Sequence, residues 1–225
     1  MTPLEIHTIT PSKPSIGTVI WMHGLGADQH NFDDLVPNLY DHEQWPLKFV
    51  FPNAPVRSVT INYHQPTRAW YDVLSLTDLH REDEAGIVLS QQNINQLIKE
   101  EINNGTLANR IVLAGYSQGG AMALYTGIRF DNRLAGILAL SCYLPLFHLH
   151  EKSMCTENIK TPIFMAHGTH DDVLPCLAGK MSFQAIQHTH PNTEWHEYTM
   201  THEICAKEIL DIRHWLTKIY GCISR

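Results

Sequence analysis

Ser117 stands at the centre of Gly115-Tyr-Ser-Gln-Gly119, between four apolar residues, Ile111 to Ala114, and a run of small residues beginning at Gly119. The apolar run reads as a short buried strand and the small-residue run as a helix. The serine therefore falls on a tight strand-to-helix turn, where a strained backbone holds Oγ exposed above the sheet. The flanking glycines are needed because a Cβ at either place would collide with a neighbouring strand or helix. The next backbone N–H, that of Gln118, lies at a helix N-terminus, where a developing oxyanion is stabilised. A bare Gly-x-Ser-x-Gly arises by chance in roughly one chain in ten of this length. The strand before it and the helix after it are what make it a candidate nucleophile.

A hydroxyl is a poor nucleophile at neutral pH, so Ser117 needs a base, and the base needs an orienting acid. In a sheet of this kind those groups follow later strands, in the order Ser, acid, His. The apolar run Ile163–Ala166 leads into His167-Gly-Thr-His-Asp-Asp172, which offers Asp171 and Asp172. The run Glu194–Tyr198 leads into Thr199-Met-Thr-His202, which makes His202 the base, because His196 falls inside a strand and His214 inside a helix. Acyl transfer needs a second oxyanion donor from an early loop. His23-Gly-Leu-Gly-Ala-Asp28 follows the run Thr18–Met22, and its glycines let the Leu25 N–H turn toward the serine. Fifteen histidines raise a metal alternative, for which His167, His170 and the adjacent aspartates are the best set. They lack a recognised ligand spacing, so no metal and no organic cofactor are expected.

The elements that must carry these groups alternate. Strands are predicted at Leu4–Ile9, Thr18–Met22, Lys48–Phe51, Arg110–Ala114, Gly136–Ser141, Ile163–Ala166 and Glu194–Tyr198. Helices are predicted at Asn31–Tyr40, Glu82–Asn103, Gln118–Phe130, Leu177–His188 and Glu203–Tyr220. That order implies βαβ units around a mostly parallel, twisted sheet with helices on both faces. Pro52 to Thr77, rich in Pro, Asn and aromatics, reads as a long irregular, substrate-facing excursion. No repeat or linker divides the chain, and 225 residues suit one domain, 1–225, with a sizeable core. A net charge of −7 without any basic cluster argues against nucleic acid. Five cysteines without paired spacing read as reduced thiols. With no leader pattern at the N-terminus and no long apolar run, a soluble cytoplasmic protein without a transmembrane segment is expected.

With these pieces together, the chain resembles the carboxylesterase/acyl-protein thioesterase family of α/β-hydrolases, its bacterial members in particular. The resemblance rests on His23-Gly-Leu-Gly-Ala-Asp28, Pro52-Asn-Ala-Pro55, Arg68-Ala-Trp-Tyr-Asp72, Gly115 to Gly120, His167-Gly-x-x-Asp171 with Val173 and Pro175, and Tyr198-x-Met-x-His202 with Cys205. It implies a Ser117–His202–Asp171 triad and an oxyanion hole from the Leu25 and Gln118 amides. It also implies a place for Trp70 and Tyr71 near the acyl site, and hydrolysis of esters or thioesters with apolar acyl chains. The substrate would be a small-molecule ester or an acylated protein; the oligomeric state, homodimer included, is left open. Two departures stand out. Thr201 replaces a usual glycine, which would crowd the approach to His202, and Tyr63-His-Gln-Pro-Thr67 replaces a Gly-containing stretch. The competing readings are a catalytically silent acyl or lipid binder and another chemistry, such as lactone hydrolysis, on the same triad.

Overall fold

Strand-period alternation sorts the core into two layers. Ile20 and Met22 of β2 (Gly17–Met22), Ile111 and Leu113 of β6 (Ile111–Tyr116), and Ile137 and Ala139 of β7 (Gly136–Leu140) face one layer. The residues between them, Val19, Trp21, Val112, Ala114, Leu138 and Leu140, face the other. A period of two with both faces apolar is what a sheet buried on both sides requires. In this computed structural model, which describes residues 3–41, 43–75, 78 and 81–221, the sheet has seven strands. Their order is β1-β3-β2-β6-β7-β8-β9, completed by β1 (Ile6–Ile9), β3 (Leu47–Pro52), β8 (Ile163–Gly168) and β9 (Thr193–Tyr198). Only β1 pairs antiparallel, at one edge. Five helices close the two layers. Buried residues of α2 (Glu84–Asn103), α3 (Gln118–Gly127) and α5 (Cys176–Thr189) pack into the first. Those of α1 (Val36–Leu39) and α6 (Ala206–Gly221) pack into the second. A four-residue helix, α4 (His150–Ser153), lies in the β7–β8 connection.

The expected α/β-hydrolase sheet is present, with two corrections in the connections. The helix predicted at Asn31–Tyr40 shrinks to α1 at Val36–Leu39, and residues 31–35 form turns closed by bonds such as Asp33 N–H to His30 O and Leu35 N–H to Phe32 O. Pro37 is the reason. In a longer helix it would leave the Asp33 carbonyl without its donor and press its ring against that carbonyl. The excursion from Pro52 is not irregular throughout. It contains an antiparallel hairpin, β4 (Val56–Val59) and β5 (Gln65–Arg68), masked in the sequence by its polar character and by Pro66. Tyr63 and His64 at its tip both take left-handed backbone, φ 51° and 59°. The end of the excursion at Thr77, the terminal residues Met1, Thr2 and Ile223–Arg225, and Cys222 lie outside the described residues.

Parallel pairing brings the site together. The register sets Met22 opposite Gly115 and Tyr116 opposite Leu140, so the loops after β2, β6 and β7 leave the same edge. At the far side Gly168 pairs with Tyr198, setting the loop after β8 beside the loop after β9. Groups more than a hundred residues apart in sequence thus meet at the carboxyl ends of the strands, where ligands bind in sheets of this type.

Candidate active site

Ser117 has φ 55° and ψ −122°, a left-handed value that an L residue adopts only under constraint. The constraint is close packing around its glycines. A Cβ on Gly115 would overlap the backbone of Gly119, and one on Gly119 would overlap the Met22 carbonyl. The Ser117 N–H is anchored to Leu140 O at 2.8 Å, which holds the turn down on β7. What remains free to project is Oγ.

His202 reaches that oxygen. Its Nε2 is 2.9 Å from Ser117 Oγ, and its Nδ1 is 2.6 Å from Asp171 Oδ2. The Asp171 carboxylate is fully buried and satisfied on both oxygens. Oδ1 accepts the Val173 and Leu174 N–H groups at 2.9 and 2.8 Å, and Oδ2 faces His202 and, at 3.2 Å, His167 Nε2. A carboxylate so held stays in one orientation, which fixes the imidazole tautomer: Nδ1–H donates to Asp171 and Nε2 is left to accept the serine proton. Backbone bonds join the two loops directly, Thr169 N–H to Tyr198 O at 2.8 Å and His170 N–H to Met200 O at 3.1 Å. The Tyr116 hydroxyl donates to His202 O at 2.7 Å, and its ring packs against the imidazole at 5.0 Å.

Asp172 is exposed, and α5 starts behind Pro175 with no side-chain cap, so the structure separates the two aspartates that composition could not. His170 is also exposed and shares a 3.1 Å hydrogen bond with Thr169, so the alternative metal set does not converge around Asp171. Thr201 is exposed too, and its side chain does not line the cavity at Ser117, so the anticipated crowding of His202 is not seen.

Leu25 and Gln118 both line a cavity of about 330 Å³ that opens at Ser117. Gly24 lies so near the serine that a Cβ there would stand 3.4 Å from Ser117 Cβ. His23 is buried at the root of this loop. Its Nε2 accepts the Ala54 N–H at 3.0 Å, so its proton is on Nδ1, which donates to Gly24 O at 2.7 Å. The carbonyl it holds belongs to the same rigid peptide unit as the Leu25 N–H, so clamping one orients the other. Burial lowers the His23 pKa and keeps the ring in this neutral form.

Tyr71 lines the cavity, and the sequence-predicted neighbour Trp70 does not. Trp70 is fully buried behind the wall, its indole N–H donating to His23 O at 2.9 Å and its backbone N–H to the Gln118 side chain at 2.8 Å. A buried indole N–H needs an acceptor, and the loop after β2 supplies it. The Gln118 amide then donates to Tyr71 O at 2.8 Å, completing a brace between the elbow, the loop after β2 and this segment.

Residues 5–220 match the family model described as Phospholipase/Carboxylesterase. The chain belongs to that family. It is a hydrolase with the α/β-hydrolase fold. It is 36% identical over 221 residues to acyl-protein thioesterase 1 of Yarrowia lipolytica, covering 96% of this chain and 97% of that one. Identity to the Neurospora crassa protein of the same name is 38% over 217 residues, covering 89% and 86%. The crystal structure of SOBER1 from Arabidopsis thaliana superposes with a TM-score of 0.84 at 28% identity, covering 90% of this chain and 98% of the other. The Bacillus cereus carboxylesterase, at 17% identity and a TM-score of 0.79, shares the fold. In this phospholipase/carboxylesterase family hydrolase, His23, the Gln118 side chain, Tyr116 and His167 went unrecognised in the sequence as supports of the site. Each lies inside a quoted motif, but what it touches depends on a partner 31 to 86 residues away, or, for His167, on the fold of its own loop.

Proposed function

We propose that this chain, acting as a single cytoplasmic domain, hydrolyses carboxylic esters or thioesters with apolar acyl chains through Ser117, His202 and Asp171. The observation that carries the reading is the continuous chain of contacts, Ser117 Oγ to His202 at 2.9 Å and His202 to Asp171 at 2.6 Å, opening into a cavity walled by Leu25, Ile61, Tyr71, Val73 and Val173. Among the described residues no helix is long and apolar enough to cross a membrane.

In this reading His202 Nε2 takes the hydroxyl proton as Ser117 Oγ attacks the substrate carbonyl carbon. The tetrahedral oxyanion is held by the N–H groups of Leu25 and Gln118, two residues that line the cavity at Ser117. Collapse breaks the ester or thioester bond, and the imidazolium returns its proton to the departing alcohol or thiol. Water, deprotonated by His202, then attacks the acyl-serine and releases the carboxylic acid. The Asp171 carboxylate orients the ring and stabilises the imidazolium. The names of the fungal relatives support thioesters on acylated proteins as one substrate class, beside small-molecule esters.

The test is labelling with a fluorophosphonate probe, followed by turnover of p-nitrophenyl esters and acyl-CoA thioesters. Covalent modification of Ser117 with hydrolysis of both series supports the proposal. A chain that binds acyl groups but neither labels nor turns over is the silent binder instead.

A further inference from the structure

Beside the edge strand β1, three side chains converge that the hydrolytic site does not use. His7 comes from the edge strand β1, and His30 and Asp33 come from the turns before α1. One ligand atom from each lies within 4.8 Å of the other two, the only such grouping among the described residues. We infer that His7, His30 and Asp33 form a binding site for a Zn²⁺-class divalent cation.

Both rings lie against the Asp33 carboxylate, one on each oxygen, with the three candidate ligand atoms within 4.8 Å of one another. In tetrahedral zinc, bonds of about 2.0–2.1 Å place adjacent ligand atoms about 3.3 Å apart. His7 Nε2 and Asp33 Oδ1 are 3.3 Å apart, and His30 Nδ1 lies 2.9 Å from Asp33 Oδ2. Asp33 Oδ1 is itself shielded from solvent, and among the described residues no aligned hydrogen bond satisfies it. A cation between it and the two rings would replace its loose 3.3 Å contact with His7 by a direct bond. The rings are already held for this, with centroids 4.5 Å apart and His7 stacked on Phe51.

A ligating histidine needs an acceptor for its other ring N–H. With His30 Nδ1 on the metal, its proton would be on Nε2, which lies 3.4 Å from the Gln29 amide nitrogen. Gln29 Oε1 is buried and unpartnered among the described residues, so turning that amide over would present the acceptor that a metallated His30 requires. Two imidazoles and one carboxylate select zinc, or cobalt and nickel in its place, over calcium and magnesium, which demand more oxygen ligands. Solvent would complete the coordination. A bound cation would tie β1 to the connection that carries Leu25 at its start, so its effect is on stability rather than on any step of hydrolysis.

The experiment is zinc titration of the whole chain by calorimetry, with thermal unfolding and the visible spectrum of the cobalt-loaded protein. We expect one zinc per chain with micromolar affinity, a melting temperature raised by roughly 5 °C at saturation, tetrahedral cobalt absorption, and no effect of calcium or magnesium. His30→Ala, His7→Ala and Asp33→Asn should each weaken zinc binding at least tenfold and abolish the cobalt spectrum while circular dichroism stays native. His188→Ala, at an exposed histidine elsewhere, should change nothing. Absence of stoichiometric binding at 100 µM zinc (about a hundred times a micromolar Kd), or binding that survives both histidine substitutions, would overturn the assignment.

Discussion

At Ser117 the hydroxyl makes one contact that matters, with His202, and contributes little to packing on its half-buried turn. Ser117→Ala should therefore fold with an unchanged melting temperature and lose ester hydrolysis by several orders of magnitude, because removing the nucleophile disables all three groups together. Comparable turnover by the variant would place the chemistry elsewhere. The neighbouring aspartates make a sharper comparison. Asp171 is buried against His202 and accepts two backbone N–H groups, whereas Asp172 is exposed. Asp171→Asn should stay folded and lose about 10⁴-fold in kcat through the wrong imidazole tautomer. Asp172→Asn should keep near-normal kcat and stability. Steady-state rates of the purified pair decide it, and the reverse pattern would move the acid by one residue without disturbing the hydrolase assignment.

Two elements hold the site from outside the Ser117–His202–Asp171 chain of contacts. The Trp70 segment braces the loop after β2 through its indole hydrogen bond to His23 O. Trp70→Phe keeps the buried ring and deletes that bond, so kcat should fall about tenfold while KM changes equally for short and long acyl chains. A wall residue would behave otherwise, with a KM effect growing along the acyl series, which is the measurement that separates the roles. At the start of α6, Glu208 is buried, and burial pushes its carboxyl up to about 8, with Asp211 adding to the rise and the Cys205 N–H opposing it. A raised native pKa means that the folded state prefers the protonated acid. Stability from this group is then whole below pH 4.5 and declines as pH climbs toward 8, by a few kcal/mol at about 1.4 kcal/mol per tenfold change in proton affinity. Glu208→Gln should flatten the melting temperature between pH 5 and 8 and raise it at pH 8. An equal slope in the variant and the parent would show that the titrating group is another.

For the molecule as a whole, the parallel sheet sets one end apart for chemistry and buries both faces for stability. The cavity at that end has aromatic and aliphatic walls with few polar atoms beyond those of Ser117, Gln118 and His202. Each methylene added to the acyl chain should bring about 0.8 kcal/mol, close to fourfold in kcat/KM, until the cavity is filled. A graded p-nitrophenyl series from acetate to octanoate measures this directly. A flat profile would mean that the chain lies outside the cavity.

Much of this was determined by the sequence alone, because the relevant physics is local. Short apolar runs announced the strands of the main sheet, and the three-and-four spacing of Ile209, Ile212, Leu216 and Ile219 announced α6. Gly115 and Gly119 marked the tight turn, and motif order pointed to His202. Proline at position 37 carried the message that α1 would be short, and the helix predicted over Asn31–Tyr40 gave it no weight. The hairpin at Val56–Arg68 was hidden for a different reason: a two-stranded ribbon with little buried surface has no strong apolar alternation to declare it. Tertiary structure alone decided which aspartate meets the imidazole, since adjacent residues in a loop differ in direction rather than in composition. It also turned Trp70 from a presumed substrate contact into a brace, because an indole N–H takes whichever acceptor the fold brings within reach. The convergence of His7 with His30 and Asp33 likewise depends on β1 folding back beside β3, a pairing between distant segments to which no local spacing points.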